Sequence, residues 1–224
     1  MAVTDEAISA IKAMILSGEL APGQRLPPEK ELSERLGLSR NSLREAVKSL
    51  EVIRVLDVRR GDGTYVTSLE PRLLLEALSF VVDLHRDATV LEILEVRRVL
   101  EPYAAAAAAR RMTPERLEEL EAELASADAA AGVDALVAHD LRFHGLISSA
   151  SGNEYLAGLL DGLSGGTVRA RVWRGITEEH AAERTLAEHR AILDALKAGD
   201  PDLVRAAVTL HIGGVESWLR KAAE

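Results

Sequence analysis

Apolar positions recur along this chain at helical intervals almost from end to end. Ile8, Ile11 and Ile15 mark a first amphipathic stretch, from about Thr4 to Ser17, with Thr4 as N-cap and Gly18 as stop. "LAPGQRLPP" is a turn-rich connector. "PEKELSERLG" predicts a short helix closed by Gly37, and Ser39 caps a third, "RNSLREAVKSL". Leu43, Ala46, Val47 and Leu50 form the apolar stripe of that third helix. Arg40, Asn41, Arg44 and Lys48 lie opposite. The pattern then changes period. In "VLDVRRGDGTYV", Val55, Asp57 and Arg59, then Thr64 and Val66, predict two strands around a tight turn at "RGDG".

Beyond Glu70 no strand pattern and no internal repeat occurs. The spacing predicts helices over "PRLLLEALSFVVDLH" (71–85) and "TVLEILEVRRVLEPYAAAAAARRM" (89–112), the latter kinked at Pro102, with Ala104–Ala109 as a close-packing face. "TPERLEELEAELASADAA" opens with a Thr-Pro-Glu start signal and reads as exposed, until Gly132 breaks it. "VDALVAHDLRFHGLISSA" follows, ended by Gly152. Next come "NEYLAGLLDGL" and "TVRARVWRG" around a glycine-rich middle, then "EEHAAERTLAEHRAILDALKAG". The last segment opens with Asp200 as N-cap and Pro201 at the first helical position. The expected fold is mainly α: an N-terminal winged helix-turn-helix (three helices plus a β-hairpin wing) over residues 1–69, then an antiparallel all-α bundle of six or seven helices over residues 70–224.

Composition narrows the function. Hydrophobic residues are 47% and aromatics 3%, as suits packed helices. The absence of cysteine removes disulfides, thiol catalysis and Cys-ligated zinc, and fits a reducing cytosol. No apolar run approaches the ~20 residues of a membrane span, and the acidic, amphipathic N-terminus does not read as a signal peptide. A cytoplasmic protein is expected. The net charge of −9 argues against nucleic acid until its distribution is read: residues 25–60 hold 9 basic and 6 acidic side chains, a net of +3.

A charged helix face is by itself usually just solvated. The order helix, helix, turn, basic-faced helix, basic hairpin is far more restrictive. Arginine forks onto guanine, asparagine pairs with adenine, and Ser39 with the helix N-terminus suits a phosphate. Arg59 and Arg60 at the hairpin tip can reach the backbone or a minor groove. "LPPEKELSERLGLSRNSLREAVKSLE" followed by "VRRGDGTYV" resembles the N-terminal domain of the GntR family of bacterial transcription regulators, over about residues 5–68. The resemblance implies DNA contacts at Lys30, Ser39, Arg40, Asn41, Arg44, Arg60 and Gly61. One departure stands out: Arg54 occupies the place of the family's usual turn glycine, so it must accept that backbone conformation at a cost, or the turn is rebuilt.

The six histidines separate by helical geometry. Residues four apart sit ~40° from each other, so Asp140 and His144 share the inward face of Leu136 and Ile147. His189 falls in the stripe of Leu186, Leu193 and Leu196. His211 falls in that of Val204, Val208, Val215 and Trp218. His139, ~140° from His144, and His180, ~180° from His189, are expected in water. One inward histidine is usually a hydrogen-bonded core residue, and Asp140–His144 alone can be a self-satisfied pair. Three such histidines and a carboxylate are satisfied together by one divalent cation: zinc first, with nickel, iron or manganese as alternatives.

"EVRRVLE", "DLRFH", "SGN", "EHRAILDALKAGD" and "LHI" resemble the FCD effector domain of the FadR subfamily, over about residues 73–220. The resemblance implies metal ligation by Asp140, His144, His189 and His211. It also offers Arg97 as a fork for an effector carboxylate, with an ion pair to Glu101 as the even alternative. Asn153 is an effector contact or a helix cap. Arg169, Arg171 and Arg174 are candidates for a pocket rim. The expected protein is no enzyme but a homodimeric, ligand-responsive regulator. It binds double-stranded operator DNA, represses by default, and senses a small carboxylate through the metal pocket. The rivals are a metal-dependent enzyme with a DNA-binding appendage, and a regulator whose metal is purely structural.

Overall fold

The computed structural model describes residues 3–71, 73, 75, 88–127 and 132–222. Apart from residues 71, 73 and 75, the expected helix over 71–85, with His85, lies outside the described residues. The chain divides into two compact units, Met1–Ala77 and Leu78–Glu224.

The first unit holds α1 (Val3–Leu16), α2 (Glu29–Leu36), α3 (Arg40–Val52), β1 (Leu56–Arg59) and β2 (Gly63–Val66). Thr4 lies inside α1 and not at its cap. Ser39 caps α3 as expected, its hydroxyl accepting the Ser42 N–H at 3.1 Å. Ile11, Leu32, Leu43 and Leu56 close a core between the helices and the hairpin. The strands pair antiparallel, Leu56 opposite Val66 and Arg59 opposite Gly63. Gly61 turns the tip at φ +77°, where a side chain would strain the backbone. The connector adds a bridge from Arg25 to Tyr65, so the wing leans on a third segment.

Arg54 resolves the departure noted above. It adopts φ +61°, the left-handed region that glycine occupies without strain. The turn is therefore kept and not rebuilt. Local bonds hold it: Arg54 N–H reaches Glu51 O at 3.0 Å, and Thr67 Oγ1 donates to Arg54 O at 2.7 Å.

The second unit contains seven described helices: α4 (Ala88–Ala109), α5 (Pro114–Ser126), α6 (Val133–Ala150), α7 (Glu154–Gly165), α8 (Val168–Thr177), α9 (Ala181–Ala198) and α10 (Pro201–Ala222). Helix α4 continues through Pro102. It packs antiparallel along α10, where Arg98 meets Glu216 and Arg220 meets Glu95. Five of the six alanines 104–109 are buried, and their small side chains permit close approach. Thr113, Asn153 and Asp200 cap α5, α7 and α10 through their side chains. Helix α9 begins at Ala181, later than expected, because His180 takes a left-handed conformation before it. The core is Leu94, Phe143, Ile192, Leu193, Val204 and Val208 with their neighbours.

Candidate metal centre and nucleic-acid interface

Helices α6, α9 and α10 each bring an inward stripe to one buried point. There Asp140, His144, His189 and His211 each offer a ligand atom, all within 4.8 Å of one another. Asp140 Oδ1 lies 3.8 Å from His144 Nε2, 3.4 Å from His189 Nε2 and 3.8 Å from His211 Nε2. The Nε2 atoms of His144 and His211 are 3.1 Å apart. Two donors ~2.1 Å from one ion lie ~3.0 Å apart at right angles and ~3.4 Å apart in a tetrahedron. The cluster matches that scale.

The outer nitrogens decide what the inner ones present. His211 Nδ1–H donates to Glu188 at 2.7 Å. His139 Nδ1–H donates to Glu123 at 2.9 Å, so its Nε2 accepts the His189 Nδ1–H at 3.0 Å. His144 Nδ1 faces Glu101 at 3.1 Å, out of line for a full hydrogen bond. A carboxylate only accepts, so His211, and His189 through His139, place their protons outward and a bare Nε2 inward. Carboxylate-backed histidines of this kind are the usual outer shell of a metal ligand. Phe143 stacks on the His189 ring at 4.3 Å and fixes its plane.

Without a cation this centre is costly. His189 Nε2 is buried and makes no hydrogen bond. Such an atom costs ~1–3 kcal/mol. Three imidazoles and a carboxylate suit a divalent ion, and the residues present fit one.

Charge is tuned around the same point. Burial opposes the Asp140 carboxylate, but Arg171, at 2.6 Å from Oδ2, and the nearby histidines hold its pKa well below the usual range. Arg97 and His144 likewise outweigh the burial of Glu101. Burial, with repulsion from Arg97, brings Arg171 down to about 10. Burial pushes His189 down to about 3, and His211 in the same direction. The sign for stability follows. An unfolded histidine titrates near ~6.5, so the unfolded chain binds the extra proton between ~6.5 and about 3. Stability from neutral His189 is complete above that window and is lost as pH falls through it, by ~1.4 kcal/mol per pH unit. Metal-free protein should therefore lose melting temperature from pH 6.5 to 5, and ion-loaded protein less. A flat profile for the stripped protein contradicts this.

A cavity of about 30 Å³ opens beside the cluster, with Asp140 and His211 on its floor and Arg171 and Arg174 among its walls. Arg171 and Arg174 are buried there, where sequence had suggested only a rim. The side chain of Arg169 is outside the description. Arg97 is also buried, paired with Glu101 and donating to Thr167 Oγ1 at 2.8 Å, so the ion-pair alternative is the one formed. Asn153 caps α7 and lines a separate exposed recess. His180 is exposed as expected. His139 corrects the expectation of a wet side chain: it is buried, because α5 covers that side of α6 and supplies Glu123.

In the first unit, Lys30, Ser39, Arg40, Asn41, Arg44, Arg60 and Gly61 are all exposed. Arg44 is steadied by Glu29 at 2.8 Å, and Arg59 lies over the Tyr65 ring at 4.2 Å. Residues 3–66 match the family described as bacterial regulatory proteins, gntR family, and residues 92–214 match the FCD domain.

The chain belongs to the GntR family.

Relatives agree over nearly the whole length. The HTH-type transcriptional regulator LutR of Bacillus subtilis is 32% identical over 216 residues, covering 92% of this chain and 96% of that one. The galactonate operon transcriptional repressor of Escherichia coli is 31% identical over 217 residues, covering 92% and 93%. A solved Streptococcus agalactiae GntR structure superposes with a TM-score of 0.71 at 28% identity, covering 96% and 99%. This GntR-family chain is a DNA-binding transcriptional regulator with an FCD effector domain. The family and these relatives are regulators, not enzymes. Its buried Asp140–His144–His189–His211 cluster is compatible with a divalent metal. Among the described residues no helix is long and apolar enough to cross a membrane.

Proposed function

We propose that this regulator is a cytoplasmic homodimer of the FadR type that represses transcription until a small organic acid binds beside a metal ion. Residues 1–69 form the DNA-binding domain, with Lys30, Ser39, Arg40, Asn41, Arg44, Arg60 and Gly61 as contacts. Residues 70–224 form the sensing and dimerisation domain. Asp140, His144, His189 and His211 would hold the ion, zinc first among candidates. A bound ion supplies a Lewis-acidic partner for a carboxylate.

One observation carries this reading: the cavity that meets Asp140 and His211 also meets two buried arginines, Arg171 and Arg174. Guanidinium groups fork onto carboxylates. A relative named as a galactonate operon transcriptional repressor supports repression. Ligand would act by changing the geometry of two recognition helices that must meet half-sites one DNA turn (~34 Å) apart.

The test combines elemental analysis of the purified protein with a thermal-shift series of small hydroxy-carboxylates. The expected result is a rise in melting temperature for one acid in ion-loaded protein only. In Arg171→Met the acid shift is lost and ion content kept. An equal shift in stripped protein would make the metal purely structural and overturn the sensing role.

A further inference from the structure

Helix α4 leaves one apolar line exposed. Val96, Val99 and Tyr103 are 44%, 67% and 62% exposed, and their spacing of three and four residues aligns them down one face. Glu92 begins that line, and Arg110, just past the helix, ends it. Their separation is about five helical turns, so both charges share the face. Both are exposed, and neither has an ion-pair partner among the described residues. The neighbouring charges Glu95 and Arg98 are instead tied to α10 through Arg220 and Glu216. The Tyr103 end opens onto a recess of about 490 Å³ lined also by Ala107 and the exposed Tyr155.

We propose that this face joins two copies of the chain, α4 packed antiparallel on α4 about a two-fold axis level with Glu101. A two-fold contact must be self-complementary: each residue meets a partner that meets it in return. With the axis there, Glu92 of each copy faces Arg110 of the other, and Val99 packs on Tyr103. Val96 comes level with Ala106, next to the recess-lining Ala107. A parallel pairing would instead set Glu92 on Glu92 and Arg110 on Arg110. The order acid, apolar line, base fits a second copy of itself reversed, and that selects the occupant. This inference rests on the homodimer reading and names its surface.

Sedimentation velocity of the full chain at low salt tests it. Glu92→Arg and Arg110→Glu, made singly, each create two like-charge pairs per dimer and should raise the dimer dissociation constant on the order of tenfold. The double swap should restore it to within about threefold, since opposite charges face again. Val99→Glu should give monomer at concentrations where the unaltered chain is dimeric, with circular dichroism unchanged. A dimer indifferent to every variant overturns this face and leaves the homodimer reading standing. Single swaps that weaken without rescue overturn the antiparallel register. A chain monomeric at every concentration overturns both.

Discussion

The His211→Ala protein is expected to keep its helices and lose its ion. Outer-shell substitutions typically cost 10–100-fold in metal affinity, so removing a ligand should cost more than ~100-fold. Glu188→Gln, which alters only the backing of His211 Nδ1 at 2.7 Å, should fall within the outer-shell range. His139→Leu should do the same at His189, although it touches no ligand atom directed at the centre. The readout is a competition titration against a coloured chelator. Stability gives a second one. An ion at ~1,000 times its dissociation constant adds ~4 kcal/mol to the folded state. That gain should be present in the unaltered chain and absent in His211→Ala. Equal ion affinity in the two proteins would remove His211 from the site.

Arg44→Ala is the corresponding test of the DNA face. Loss of a base contact costs ~1–3 kcal/mol, a factor of roughly 5–150 in operator affinity at fixed salt. The ion pair with Glu29 sharpens the expectation. Removing the guanidinium leaves an unbalanced carboxylate near the phosphates. The α3 fold should survive, because its start is fixed by Ser39 and its buried face by Leu43, Ala46 and Leu50. Anisotropy with a labelled operator measures the loss, and circular dichroism checks the helix. Undiminished affinity would show that α3 is not the recognition helix.

Much of this was legible from periodicity. Asp140, His144, His189 and His211 each sit in an apolar stripe, so their side chains had to meet in the core. Ser39, Gly37 and Asp200 announced helix ends through local chemistry. What stayed hidden is tertiary. Periodicity places His139 in water because it buries a single helix face, whereas α6 is covered on more than one side. Glu123, Glu188 and Glu101 back the ligands from other helices, and no spacing links Glu188 to His211 or Glu123 to His139. Arg171 could not be told from Arg169 and Arg174 in "TVRARVWRG". Only packing brings it to within 2.6 Å of Asp140. Arg97 carries two readings, and the structure displays one of them, the ion pair with the partner four residues on.

The Arg171–Asp140 contact has a consequence for the order of events. One positive and one negative charge cancel at the cavity floor, so an acid approaching the bare site meets no net attraction. A divalent ion adds two positive charges at that spot and reverses the balance. In the proposed reading, anion entry would be conditional on prior ion loading, and the sensor would be a coincidence detector: it would answer when the metal and the acid are both in supply, and the affinity of each would rise with the other.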